Sequence, residues 1–410
     1  MITSFTYNQH TTIVGGSAVG LRVGEYVDMF GTRPLVVTGG AGSSSCGAVD
    51  HVLDAAASHG YEVATLEGVP SNPGVAVVEA GVELARSHGA DVIIGVGGGS
   101  VIDVAKAIAV GHATGLPIRS LLSGIRTSST FIDAATPVIA VPTLPGSGSE
   151  CNGTSVLIDE ASWRKLSLHS DLAAPRVAIL DPSYAATAAP DVLASSLADA
   201  LCHAVESGLS TQSSVASDAL ARAAMVMIVD HASAALGEDD ADEDRETALL
   251  QCLVAAGLAG QALTLAGSIA THPISHPVSA KLGAHHGAAV AALEPTVIIK
   301  LAARWEGRAG KLARWLGARV ATDASPVVQA KALASRLASF NRRHGVTRTL
   351  QDMGLIDGMI EELADDVCAS GSRGLANVGG RELTAVDVAS IYRAALRAKP
   401  HVVPDTAQLL

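Results

Sequence analysis

Two pairs of side chains at helical spacing hold the residues most able to do chemistry. In THPISHPVSAKLGAHHG, residues 271–287, His272 and His276 lie one helical turn apart and His286 follows ten residues later. In DALCH, Asp199 and His203 repeat the four-residue spacing, which puts both side chains on one helix face. An aspartate and three histidines drawn from two or three helices can close on one divalent metal. Imidazole and carboxylate together suit Fe(II), Zn(II) or a similar ion. An isolated His pair at this spacing is more often an accident of surface or core than a ligand pair. Here both pairs sit in apolar, Ala-rich runs, where an unpartnered imidazole or carboxylate is costly to bury. The residues therefore read as a metal site.

A second chemistry is marked by glycines and hydroxyls at strand ends. Asp91 to Val96 reads as a strand that runs into Gly97, Gly98, Gly99 and Ser100 and then into the helical VIDVAKAIAV. Such a turn brings the N–H groups of a helix start close to a phosphate. The strand VIAVP (138–142) runs in the same way into TLPGSGSE (143–150), and LVVT (35–38) into Gly39, Gly40 and Gly42. Asp103 is expected to organise the turn and the opening of its helix.

These turns need a scaffold. Short β-branched runs at 11–15, 35–38, 61–66, 91–96, 138–142, 154–158 and 177–180 read as strands. Helical stretches at Ala18 to Phe30, Val49 to Ser58 and Val75 to His88 lie between them. That alternation, from 11 to about 185, implies a largely parallel sheet covered by helices, with ligand at the strand C-terminal ends. From Asp181-Pro182 onward Ala/Leu-rich helices dominate. The expected division is an α/β dinucleotide-binding domain over 1–185 and an all-helical, metal-binding domain over 186–410.

Composition narrows the class. A chain of 410 residues can bury two cores, and with only 3% aromatics they must be built from Ala, Val, Leu and Ile. The formal net charge of -12 argues against a nucleic-acid or anionic-membrane surface. The acidic run EDDADED (238–244) reads as a solvated loop. Five dispersed cysteines without a CxxC pair suit a reducing cytoplasm, and the first residues carry no leader signature. Cys202, inside DALCH, reads as a small packing residue. Cys252 to Ala270 is apolar, but Gln261, Thr264, Ser268 and three glycines interrupt it, so it reads as a buried core helix.

Together these stretches resemble the iron-containing (group III) alcohol dehydrogenase family over nearly the whole chain. GGGSVIDVAK (97–106) is similar to the family's GGGSxxDxAK, and PTLPGSGSE (142–150) to its PTTxGTGSE. DALCHAVE (199–206) is similar to DALxHAxE, and HPISHPVS followed by HHG to HxxxHxLG followed by PHG. The resemblance implies a dehydroquinate synthase-like architecture: a Rossmann-like α/β domain, then an all-α domain. It implies Asp199, His203, His272 and His286 as metal ligands, with His276 beside the nicotinamide as a catalytic proton-relay or positioning residue. Gly98, Gly99 and Ser100 would hold the pyrophosphate, with Asn72, Thr143, Ser147 and Lys165 completing the cofactor site. The implied reaction is hydride transfer between NAD(H) or NADP(H) and a small alcohol or aldehyde, whose oxygen Fe(II), or Zn(II) in its place, would polarise. A homo-oligomer, dimer or larger, is implied as well.

The departures from the family pattern carry expectations of their own. Gly39 stands where an Asp commonly repels a 2'-phosphate, so NADPH is expected to be accepted and preferred. Ser279, Ala280, Lys281 and Leu282 replace aromatic residues, and His285 stands where Pro is usual. With Arg126, these residues suggest a pocket for an anionic aldehyde. Two alternatives share the architecture: glycerol-dehydrogenase-like polyol oxidation, and a dehydroquinate synthase-like cyclase, whose metal set favours a Glu.

Overall fold

The computed structural model describes residues 4–40, 46–122, 132–238 and 243–403; Gly42 and Arg126 lie outside them. The chain divides into two compact units, Asn8–Ala189 with Gly237–Gly257, and Met1–Tyr7 with Pro190–Leu236 and Leu258–Leu410. The single cut at 185/186 read from the sequence differs from this by four residues at the boundary, in the placement of Met1–Tyr7 and, most, in that of Gly237–Gly257. Leu250, Leu253 and Val254 explain the last of these, because they pack on Ala178 and Leu180 of the α/β unit.

Eight strands occur among the described residues: β1 (Thr12–Gly15), β2 (Pro34–Gly39), β3 (Ala64–Val69), β4 (Val92–Gly97), β5 (Val138–Pro142), β6 (Thr154–Asp159), β7 (Arg164–His169) and β8 (Val177–Leu180). Six form one sheet in the order β1-β8-β5-β4-β2-β3, every pair parallel. Leu35, Val37 and Ile93 bury themselves on one face, and Val36, Ile94 and Val141 on the other. Burial on both faces is why these strands read as unbroken apolar runs. The strand expected at 61–66 runs instead from Ala64 to Val69. The helix expected over Ala18 to Phe30 is a 3₁₀ turn, Val19–Arg22, followed by the short helix Val23–Val27.

The strand expected at 154–158 is present as β6, but outside the parallel sheet: it pairs antiparallel with β7 as a separate hairpin. β7 escaped the sequence reading because its apolar positions are only Leu166 and Leu168, set between Lys165, Ser167 and His169.

Helices of eight residues or more begin with α1 (Ala48–Ser58), α2 (Val75–His88) and α3 (Gly99–Thr114). They continue with α4 (Pro190–Leu209), α5 (Val215–Leu236), α6 (Arg245–Ala266), α7 (Thr271–Leu282), α8 (His286–Lys300), α9 (Arg308–Trp315), α10 (Pro326–Arg343), α11 (Ile360–Ala369) and α12 (Ala385–Arg397). α4 opens on a proline, which is pre-set for a first helical turn, and is buried continuously from Leu193 to Leu209. α5 and α6 are long and apolar enough to cross a membrane by composition. In α6, however, 61% of that stretch is buried within the protein, as befits a core helix.

One buried cation ties the two glycine-rich turns together. Lys106 on α3 is fully buried, and its Nζ donates to the carbonyls of Ser149 (3.0 Å), Asn152 (3.3 Å) and Thr154. It also lies 3.2 Å from Asp103 Oδ1. Asp103 in turn accepts from Ser149 Oγ and, through Oδ2, from the Val156 N–H at 2.9 Å. Asp103 was expected to organise its own turn; its carboxylate instead staples α3 to the loop after β5. Removing one partner of a buried ion pair leaves the other uncompensated. Lys106→Met is therefore expected to lower the unfolding free energy by about 3–5 kcal/mol, read by urea denaturation. A loss below about 1 kcal/mol, the worth of an exposed pair, would contradict the stapling role.

Candidate functional site

The helical unit brings the metal-type side chains together. Asp199, His203 and Glu206 project from one face of α4, at i, i+4 and i+7. α7 contributes His272 and His276, and His286 is the first residue of α8. Gly287 permits this approach: a Cβ there would stand 2.1 Å from the Ser195 carbonyl oxygen and 3.2 Å from Asp199 Cβ. Any side chain at 287 would push the start of α8 off α4 and carry His286 with it.

Three imidazoles then face one carboxylate oxygen. The Nε2 atoms of His272, His286 and His203 lie 3.5, 3.8 and 4.0 Å from Asp199 Oδ1. Asp199, His203 and His272 are buried, whereas the His286 side chain is 28% exposed and so marks the edge that solvent reaches. His203 stacks on His272 at 4.4 Å between ring centroids, and His286 meets His272 edge-on at 5.3 Å. Asp199 Oδ1 accepts no hydrogen bond among the described residues, although a buried polar atom normally has a partner. One carboxylate oxygen and three imidazole nitrogens, converging with that oxygen unbonded, fit a divalent cation. His276 stands to one side, half-buried, with its ring 5.8 Å from that of His286.

Electrostatics follow from this crowding. Burial alone would raise the Asp199 carboxyl, but His203, His286 and His272 outweigh it and hold it far below the carboxylate range. Burial likewise opposes charge on His272, yet Glu206 and Asp199 push its imidazole up to about 10. Burial and the nearby Glu206 carboxylate push Glu294 up to about 8. Burial, with Glu294 and Glu206, also holds the Cys202 thiol well above its ordinary value. A thiol so held is no nucleophile, and the packing role read for Cys202 stands.

Two features escaped the sequence reading. Glu206 reaches His272: its Oε1 is 3.0 Å from the ring Nδ1. The signal was available, because Glu206 continues the Asp199/His203 face by three more residues. Lys281 was read as a basic group for an anionic aldehyde, and this needs correction. Its Nζ lies 2.6 Å from Glu362 Oε1 and also meets Asp366 on α11, so its charge is already balanced. His285, the other unusual residue, has its Nδ1 3.1 Å from Ser195 Oγ.

In the α/β unit the dinucleotide-type residues gather at one sheet edge. β4, β2 and β3 are neighbours, with β5 beyond β4. The chain steps from β2 out to β3 and then crosses back to β4, which makes the β2/β4 boundary a topological switch point. Gly39 ends β2, Gly98, Gly99 and Ser100 follow β4, and Thr143 and Ser147 follow β5. The Thr143 N–H donates to the Gly97 carbonyl at 3.1 Å. A Cβ at Gly99 would come within 2.3 Å of Ser147 Oγ, so only glycine lets the two turns meet. Among the described residues no side chain caps the start of α3, which leaves its N–H groups suited to an anion. Asn72, in the loop after β3, sits at φ 56°, a left-handed conformation that Asn tolerates better than most residues. Lys165 lies off this sheet, half-buried on β7. Its cross-strand partner Ile158 donates its N–H to the Pro73 carbonyl at 2.8 Å, which ties the hairpin to the loop carrying Asn72.

Comparison with known proteins adds an independent line. The family model for iron-containing alcohol dehydrogenase matches residues 10–182, and the C-terminal model of the Fe-containing alcohol dehydrogenase family matches residues 193–396. The chain is 31% identical to long-chain-alcohol dehydrogenase 1 of Geobacillus thermodenitrificans, over 93% of this chain and 94% of that protein. It is 29% identical to lactaldehyde reductase of Escherichia coli K12, over 94% and 97%. Among solved structures, the iron containing alcohol dehydrogenase from Thermococcus thioreducens superposes with a TM-score of 0.81 at 27% identity, covering 96% of this chain and 100% of that one.

The charge on His272 makes one outcome measurable. An imidazole at about 10 is protonated at neutral pH and must lose its proton to coordinate a metal. Zn(II) loading of the metal-free protein near neutral pH is therefore expected to release about one proton per ion from this residue. Titration calorimetry in buffers of different ionisation enthalpy reads that proton. Uptake with a buffer-independent enthalpy would contradict the charged His272.

Proposed function

The chain belongs to the iron-containing alcohol dehydrogenase family, and we propose that it is a metal-dependent, nicotinamide-linked oxidoreductase interconverting a small alcohol and its aldehyde. The observation that carries the reading is the convergence of three imidazole Nε2 atoms on Asp199 Oδ1, which accepts no hydrogen bond among the described residues. Asp199, His203, His272 and His286 are assigned as the ligands of Fe(II), with Zn(II) able to compete at the same donors. Bound there, such an ion supplies Lewis-acid polarisation of the alcohol or aldehyde oxygen.

This chain's own residues do the rest. The uncapped start of α3, with Gly98, Gly99 and Ser100, is assigned to the pyrophosphate. Thr143, Ser147, Asn72 and Lys165 are assigned to the remainder of the dinucleotide. His276, one turn from His272 and beside His286, is assigned to positioning the substrate or relaying a proton from the exposed edge of the cluster. Five dispersed cysteines, none joined in a disulfide, suit a reducing cytoplasm, and a homo-oligomer completes the proposal.

Substrate and cofactor choice follow from charge. With Lys281 balanced by Glu362 and Asp366, no anion-selective contact is assigned to α7, and a neutral aldehyde is the proposed substrate class. That class accords with the lactaldehyde and long-chain alcohols named for the two relatives. At the end of β2, Gly39 brings no carboxylate against a 2'-phosphate, and a Cβ at the adjacent Gly40 would meet nothing within 4 Å among the described residues. NADP(H) is accordingly proposed as accepted and preferred.

Aldehyde-dependent oxidation of NADPH and NADH, by protein stripped with chelator and reloaded anaerobically with Fe(II) or Zn(II), tests the reading. Turnover is expected only after metal return. Like-charge juxtaposition costs several kcal/mol, so Gly39→Asp is expected to lower kcat/KM for NADPH by about tenfold or more and to spare NADH. Full activity without metal would overturn the ligand assignment. A wild-type preference for NADH would overturn the Gly39 argument alone.

A further inference from the structure

We propose that Glu206 is the positioning residue of the metal centre, standing against His272 Nδ1 so that Nε2 is the nitrogen turned toward Asp199 and the ion. The inference rests on the metal-site reading above and adds to it a residue that touches no ion. Glu206 is fully buried, and among the described residues its only ion-pair partner is His272. Its Oε2 accepts the Ile269 N–H at 2.8 Å, and its Oε1 accepts the His272 N–H at 3.0 Å. That same Oε1 lies 3.0 Å from His272 Nδ1. One carboxylate thus binds the backbone that leads into α7 and stands against the ring of the second residue on it.

The consequence is a choice of tautomer. A neutral imidazole carries one N–H and one lone pair. An imidazole that binds an ion is neutral, and a carboxylate at Nδ1 keeps the one hydrogen there, which leaves Nε2, 3.5 Å from Asp199 Oδ1, to face the ion. Carboxylates in this position also raise the basicity of a metal-binding imidazole and fix its plane. Because Glu206 shares α4 with Asp199 and His203, a single rigid helix sets two assigned ligands and the orientation of a third.

A competing interpretation is a second ion held by Cys202, Glu206 and His272, whose donor atoms also lie within 4.8 Å of one another. Three facts weigh against it. Both Glu206 oxygens already accept backbone N–H groups. His272 Nδ1 is at hydrogen-bond distance from one of them. The Cys202 thiol donates to that same Glu206 Oε1 at 3.9 Å. The triple is the supporting layer of the first site.

Co(II) is the probe, because its visible absorption reports the geometry of its donors. The full chain, stripped of metal, is titrated with Co(II) and then competed with a chelator, for wild type, Glu206→Ala and Glu206→Gln. Outer-layer partners of metal-binding histidines typically contribute 10–100-fold in affinity. Glu206→Ala is expected to lose about 10–100-fold and to shift the Co(II) bands. Glu206→Gln keeps the shape and one acceptor oxygen, and is expected to retain part of both. If Glu206→Ala does not fold, Glu206→Gln carries the test. Either variant, folded by circular dichroism, that binds Co(II) with wild-type affinity and spectrum reduces Glu206 to a clamp of the α6–α7 turn and overturns the proposal. A wild type that takes up no Co(II) overturns the metal-site reading beneath it, and the two failures are told apart by the wild-type titration alone.

Discussion

A carboxylate removed from water must be answered by positive charge or hydrogen-bond donors, or it gives up its own charge. In this protein Asp199 is answered by three imidazoles that arrive on three helices, and much of the helical unit is arranged to deliver them. α4 is buried along its length to carry Asp199 and His203 inward. Gly287 is bare so that α8 can start against α4. Glu206 lies beneath His272 and answers the backbone N–H groups that the approach of α7 exposes. Such a cluster, dense in titratable groups and dry on all sides but one, is poorly explained by stability alone, since apolar packing of the same volume often serves as well.

The α/β unit solves a different problem with the same economy of residues. Its parallel sheet places four loop starts side by side, and the crossing between β2 and β4 opens the place where a dinucleotide can lie. Bare glycines let the turns after β4 and β5 touch. A single buried lysine then holds the second turn by its carbonyls. The chemistry assigned to this edge is mostly backbone chemistry, which is why so few of its side chains are charged.

Much of this was legible in the sequence because it is written in short-range spacing. The four-residue intervals of 199/203 and 272/276 and the strand–glycine–helix grammar at 91–110 depend on neighbours along the chain. What was not legible depends on partners far apart in sequence. Lys106 looks like any helical lysine until the carbonyls of 149–154 close around it. Lys281 looks like a free cation until Glu362 and Asp366 arrive from a helix 80 or so residues later. β7 shows only two apolar positions, and the run from Arg245 to Gly257 reads as helical sequence whichever unit it packs against. Glu206 is the intermediate case: it lies on the right face at the right interval, but its role appears only once the ring of His272 stands over it.

The central claim is that one divalent ion is held by Asp199, His203, His272 and His286. Anomalous X-ray scattering from crystals of the protein loaded with Zn(II), collected on both sides of the zinc edge, tests it most directly. The account predicts one peak about 2.0–2.2 Å from the three Nε2 atoms and an Asp199 carboxylate oxygen. A peak on the Cys202–Glu206 side of His272, or none within the cluster, would contradict it.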